Sequence, residues 1–258
     1  MRRRAPVLGI GIEAARKVRS AIGYVHPTEL EIEVLAYMRG ALVRTAPAHG
    51  ARANLLRVGE RGIIAVAETL TDTERRWAIA HELGHFEAHA GISFLGLCSS
   101  TDMLPAYQAS GREPEANAFA AELLMPEDLF AKRCDVAKVS WEPVHALAEE
   151  FDVSMTAAAL RFISYTEERV AIVCAKNGKV LWSAGTKDFG TRPRRGDRIG
   201  EWTEMHSFFK KGRVSNKPQT VSASAWIEDI EDDEEHIVEH VFPAPRLGIA
   251  TSLLWWKP

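Results

Sequence analysis

This sequence predicts an α+β fold, with helices and a small β-sheet first and a β-rich region after them, and three patterns carry the prediction. Leu30, Val34, Leu35, Met38 and Leu42 recur at helical spacing within Thr28 to Val43. Asn54 to Val58 and Ile63 to Ala67 flank Gly59-Glu60-Arg61-Gly62 as a hairpin. From Val170 the pattern changes: Val170 to Ala175 and Val180 to Ser183 flank Lys176-Asn177-Gly178-Lys179, a strong tight-turn signal. With 46% hydrophobic residues in 258 positions, the chain can bury a large core as one domain or two.

Taken in order, Ile12 to Ile22 reads as a first helix and Thr28 to Val43 as a second, whose apolar stripe is a set of core positions. The hairpin leads into a third helix, Thr71 to Ala90. Thr71 and Glu74 have capping-box spacing, and Trp77, Ala78, His81, Gly84, His85 and Ala88 recur with its period. Gly91 to Arg112 reads as a loop or short helices covering a cleft. Another helix follows from Glu113 toward Pro126. Pro143 to Phe151, Asp152-Val153-Ser154 and a helix to Tyr165 have a helix-turn-helix outline. Ser154 is equally a good N-cap, and Arg161 is the only basic residue of the second helix before Tyr165, so a packed structural pair is preferred over a DNA reader. Strand-like runs return near Gln219, His236 and Ile249. The acidic residues Glu228-Asp229 and Glu231 to Glu235 lack calcium-loop spacing and read as a solvated loop, while Trp255 and Trp256 close a core or an edge.

The chemistry starts from His81, Glu82 and His85, which spell H-E-x-x-H within the third helix. Four residues make about one turn, so both imidazoles leave one face and can grip one metal ion. Glu82 sits beside them, where a carboxylate can take a proton from a metal-bound water, as in a metallopeptidase. The competing reading is a pair of core histidines satisfied by hydrogen bonds. His89 extends the series, but at 1.5 Å per residue it lies about 12 Å along the axis from His81, too far to share one ion. It reads as part of the helix end, before Gly91.

A third ligand is available downstream, in Glu113-Pro114-Glu115-Ala116-Asn117-Ala118-Phe119-Ala120-Ala121-Glu122-Leu123-Leu124-Met125-Pro126. H-E-L-G-H followed by E-x-E-A-N-x-F-A-A-E-L-L-M-P resembles the ImmA/IrrE family of zinc-dependent metallopeptidases. The likeness is close from Glu68 to Pro126 and looser from Thr28 to Tyr165. It implies that the acidic helix supplies a glutamate to the metal, in a zincin-like core. Glu113 and Asn117 share a helix face, so one can ligate while the other hydrogen-bonds a ligand. Glu113 is therefore favoured. Glu115, which shares its face with Phe119, stays open as the alternative and also suits a solvated helix start.

His81, His85 and Glu113 would hold one zinc ion, with manganese as the alternative metal, and leave a position open for water, the mark of a catalytic site. Glu82 is then the general base. Arg161, Tyr165, His145 and His206 are the candidates for stabilising the oxyanion, Arg161 first because family members often carry an arginine there. The resemblance also implies a strand with a free edge along the cleft that binds an extended peptide, and Ile63 to Ala67 is the candidate, although its pattern suits a fully paired interior strand equally well.

Charge is nearly balanced, 32 Lys and Arg against 35 Asp and Glu for a net −3, which argues against nonspecific nucleic-acid binding. The basic runs at Met1 to Arg4, Arg192 to Arg195 and Lys210 to Arg213 read as solvated loops. Cys98, Cys134 and Cys174 show no C-x-x-C spacing, which suits a reducing cytoplasm. Ala5 to Ile12 runs into Glu13 rather than a cleavage site, and no stretch approaches the ~20 apolar residues of a membrane span. The organisation expected is an N-terminal extension (1–27), a metallopeptidase domain (28–168) that includes the pair at 143–165, and a β-rich C-terminal domain (169–258) that positions substrate or regulates access. The activity implied by the resemblance is limited cleavage of a protein partner, a helix-turn-helix repressor, with no direct contact to nucleic acid or membrane. A non-proteolytic, metal-stabilised regulatory or binding module, of toxin-antitoxin or stress-response type, is the alternative.

Overall fold

The computed structural model describes residues 9–47, 51–89, 95–98 (backbone only), 111–227, 230 and 235–257. It is α+β, with a small sheet near the N-terminus and a β-rich C-terminal region. The chain divides into two compact units, Met1–Phe130 with Leu147–Ala158, and Ala131–Ala146 with Ala159–Pro258. This differs from a single boundary after residue 168.

The first unit opens with α1 (Gly9–Ile22), α2 (Ile32–Met38) and three strands, β1 (Ala41–Ala46), β2 (Ala53–Val58) and β3 (Arg61–Ala67). Next come α3 (Asp72–Ala88), β4 (Leu95–Cys98), α4 (Arg112–Leu124) and the short α5 (Glu127–Phe130). The four strands form one sheet in the order β1-β3-β2-β4, with β1 parallel to β3 and the other pairs antiparallel.

Three sequence expectations are corrected here. The second helix stops at Met38 instead of reaching Val43, because Gly40 takes a left-handed φ of +92° and the chain turns straight into β1. Its apolar stripe is consequently not a core stripe. Leu35 is buried, but Val34, Met38 and Leu42 are 42%, 55% and 55% exposed, since the helical period was carried across a turn into an edge strand. The free peptide-binding edge expected at Ile63 to Ala67 does not exist, because β3 is paired on both sides, by β1 and by β2. The cover expected from Gly91 to Arg112 lies largely outside the described residues, apart from β4 and the start of α4.

α1, assigned from sequence to an N-terminal extension, packs on α4. A Cβ at Gly11 would run into the Glu115 carbonyl, so only glycine lets the two backbones approach this closely. Arg16 Nε donates to the buried Glu122 carboxylate at 2.9 Å, and Arg19 Nη1 to Asp128 at 2.6 Å, which ties α1 to the end of α4 and to α5.

Continuing along the chain, α6 (Trp141–Glu150) and α7 (Met155–Tyr165) follow. The second unit then builds β5 (Val170–Lys176), β6 (Lys179–Gly185), α8 (Glu204–Lys211), β7 (Gln219–Ser222), β8 (His236–Ala244) and β9 (Ile249–Trp255). Its sheet is antiparallel throughout, in the order β6-β5-β9-β8-β7. Asn177 and Gly178 both have positive φ, +49° and +75°, the left-handed pair that a two-residue hairpin needs. Lys210 and Lys211 are not in a loop: they occupy the last turn of α8, where cations suit the helix dipole. The other end of α8 is held by a buried carboxylate. Glu239 on β8 accepts from the N–H groups of Glu204 (2.8 Å) and Met205 (2.9 Å), from Trp226 Nε1 (3.0 Å) and from the Ser252 hydroxyl (2.7 Å). Trp255, at the end of the central strand β9, is buried and donates from its indole to Glu168 at 2.9 Å, so it closes the core rather than a sheet edge.

Candidate metal centre

The centre is built on α3, and the local sequence holds that helix at both ends. At the start, the Glu74 carboxylate accepts from the Thr71 N–H and hydroxyl, both at 3.0 Å, satisfying a donor that the first turn leaves open. At the other end, Arg57 of β2 donates to the Phe86 carbonyl at 2.5 Å and to the Gly59 carbonyl at 2.9 Å, with its guanidinium 4.4 Å from the Phe86 ring centroid. Between these anchors His81, Glu82 and His85 are buried, at 0%, 0% and 3% exposure. α4 lies against α3 at Gly84, where a Cβ would sit 3.0 Å from Ala116 Cα.

Three ligand atoms converge. His81 Nε2 lies 3.2 Å from His85 Nε2 and 3.1 Å from Glu113 Oε2, and His85 Nε2 lies 3.3 Å from Glu113 Oε1. Among the described residues this is the cluster whose donor atoms can share one ion. Bonds of about 2.0–2.1 Å to a tetrahedral ion place ligand atoms about 3.3–3.4 Å apart, close to the separations found. The donor set fits as well: imidazole nitrogens and a carboxylate oxygen are ligand types that a zinc ion takes. His81 Nδ1 donates to Asn117 Oδ1 at 2.9 Å, which turns its Nε2 lone pair toward Glu113.

Glu113 and Glu115 are separated by this geometry. Burial alone would push the Glu113 carboxyl up, but the two facing imidazoles outweigh it and hold the group well below the usual carboxylate range. It therefore stays an anion at neutral pH. Glu115 points elsewhere and pairs with His89 Nε2 at 2.8 Å. His89 is the C-cap residue of α3, as a helix-finishing role would have it, yet its Nδ1 also lies 3.3 Å from His85 Nδ1. Sequence reasoning missed that second contact. The signal was present in the i, i+4 spacing of His85 and His89, and in the i, i+2 placement of Glu113 and Glu115.

The four residues considered for the oxyanion all belong to the second unit. Arg161 is buried on α7, its guanidinium 4.7 Å from the Tyr165 ring centroid. It also faces Cys134, whose thiol burial pushes up to about 12, an inert core thiol. His145 is exposed on α6, and His206 is half-buried in the first turn of α8, where its N–H donates to the Thr203 hydroxyl at 3.0 Å.

A buried His-Glu-x-x-His helix, with a carboxylate delivered to it from a second helix, makes a candidate metal site within the α+β unit. Residues 38–162 match the family model described as Peptidase M78, IrrE N-terminal-like domain. This domain, which spans just under half of the chain, supports membership of the ImmA/IrrE family. Among solved structures it is similar to a Mycobacterium tuberculosis transcriptional regulator, with 17% identity and a TM-score of 0.54, covering 95% of this chain and 76% of that one. At that identity the likeness is one of fold. No curated protein matches the sequence. No helix among the described residues is long and apolar enough to cross a membrane.

Proposed function

We propose that the chain is a zinc-dependent endopeptidase with a zincin-like core, making limited cuts in a protein partner. The convergence of His81 Nε2, His85 Nε2 and Glu113 on one point, with Glu82 buried one residue on from His81, is the observation that supports this most. Those three residues would hold the ion, and manganese is the alternative metal. Once bound, a divalent ion supplies Lewis acidity, acidifying a water and polarising a peptide carbonyl. Glu82 takes the proton of that water on its carboxylate and returns it to the leaving amide nitrogen. Asn117 holds His81 in the tautomer that presents Nε2.

The family resemblance supports a helix-turn-helix repressor as the substrate class, and the cytoplasm is the compartment proposed. The test is to incubate such a repressor, encoded beside this chain, with wild-type protein and with E82Q, each with zinc and then with a chelator. Wild type cuts at one or two sites only with metal. E82Q keeps the metal and loses at least about 100-fold in rate, the scale of general-base catalysis. Scission by E82Q at the wild-type rate overturns the role of Glu82, and metal-dependent binding without scission overturns the peptidase in favour of a regulatory module.

A further inference from the structure

The geometry points to a pair of positioning residues, His89 and Glu115, which set the tautomer of His85 and so prepare its Nε2 as a metal donor. An ionised carboxylate only accepts hydrogen bonds, so the 2.8 Å contact with Glu115 places the proton of a neutral His89 on Nε2. His89 Nδ1 is then an acceptor. The hydrogen shared across the 3.3 Å gap to His85 Nδ1 must therefore be carried by His85. That leaves the His85 lone pair on Nε2, the nitrogen 3.2 Å from His81 Nε2 and 3.3 Å from Glu113. The side chains involved are largely enclosed, with His89 12% and Glu115 24% exposed, so water competes weakly for these contacts.

The two metal-binding histidines are thereby prepared by different means. His81 uses a direct amide acceptor, Asn117, one turn after Glu113 on α4. His85 uses a relay of one imidazole and one carboxylate, running from the C-cap of α3 to the first turn of α4. Asn117 and Glu115, where the two arrangements end, both lie on α4, the helix that also carries Glu113. The inference rests on the metal reading of the site, but not on proteolysis.

The experiment compares full-length wild type with H89F, H89N and E115A, measuring zinc affinity by competition with a chromophoric chelator. H89F keeps a ring and removes the acceptor, and its zinc affinity falls about 10–100-fold, the usual effect of losing an outer partner of a ligand. H89N offers an amide oxygen near the place of Nδ1 and recovers to within about threefold, whereas E115A loses affinity in the same direction as H89F. In the zinc-loaded wild type, nitrogen-15 spectra show a slowly exchanging proton on His85 Nδ1, and its exchange quickens in H89F. An H89F affinity within about threefold of wild type, an H89N as weak as H89F, or a His85 that carries its proton on Nε2, overturns the relay. A wild-type chain that takes up no zinc sinks the metal reading instead, so the two failures are told apart.

Discussion

Adding one methyl group at Gly84 tests how the site is assembled. A Cβ there would lie 3.0 Å from Ala116 Cα, from Ala116 O and from Phe119 Cβ, all on α4. Carbon atoms in contact settle at about 3.5–4.0 Å, so G84A must drive α4 away from α3 by about 0.5 Å or distort one of them. On stability two effects oppose each other. Replacing glycine by alanine inside a helix gains about 1 kcal/mol, and overpacking costs about 1–3 kcal/mol. The net is a loss of about 0–2 kcal/mol, or a melting temperature lower by about 0–8 °C for a protein of this size. On metal binding nothing offsets the displacement. Glu113 sits one turn before Ala116 and Asn117, and a shift of about 0.5 Å exceeds the ±0.2 Å tolerance of metal–ligand bonds. Zinc affinity of G84A should therefore fall at least about tenfold, or 1.4 kcal/mol, read by competition with a chromophoric chelator on protein whose circular dichroism matches wild type. A G84A protein that binds zinc as wild type does would refute the claim that the close approach of α3 and α4 sets the ligand spacing.

Other consequences are open to direct measurement. N117L removes the acceptor of His81 Nδ1 and should weaken zinc binding about 10–100-fold, with N117D weakening it less, by the same titration. The Glu74 carboxyl lies below its usual range: burial pushes it up, but Arg52 and the Thr71 N–H and hydroxyl outweigh that. A carboxyl lowered on folding stabilises above its ordinary value near 4.3 and loses that contribution as pH falls through the lowered value. E74A should then cost about 0.5–1 kcal/mol at pH 7, the low end for a cap because Glu74 is partly exposed, and thermal melts at pH 3 should show a smaller deficit. In the second unit, E239L strands four buried donors and should cost at least about 3 kcal/mol in urea denaturation, more than E239Q, which retains one acceptor oxygen.

The local pieces were legible in the sequence wherever one short segment decides the outcome. The capping spacing of Thr71 and Glu74, the one-turn spacing of His81 and His85, and the Asn177-Gly178 turn each depend on neighbours in the chain, and each appears as a helix start, a shared face and a hairpin. The period of Thr28 to Val43 misled because periodicity does not register a single Gly40 that reverses the chain, and burial depends on what packs against a stripe. Strand β3 has a pattern that suits either an edge or an interior position, and only the parallel partner β1 decided for the interior.

The site divides in the same way. Sequence alone determined which residues can donate to a metal, because two imidazoles one turn apart share a face whatever surrounds the helix. Tertiary structure decided which of Glu113 and Glu115 faces the two Nε2 atoms, since they differ by two residues and so by about 200° around a helix. The depth at which α4 docks on Gly84, and the contact of α1 through Gly11, turn Glu113 toward the two Nε2 atoms and Glu115 toward His89. Such docking is a property of packed surfaces separated by many residues in the chain, and no local pattern encodes it.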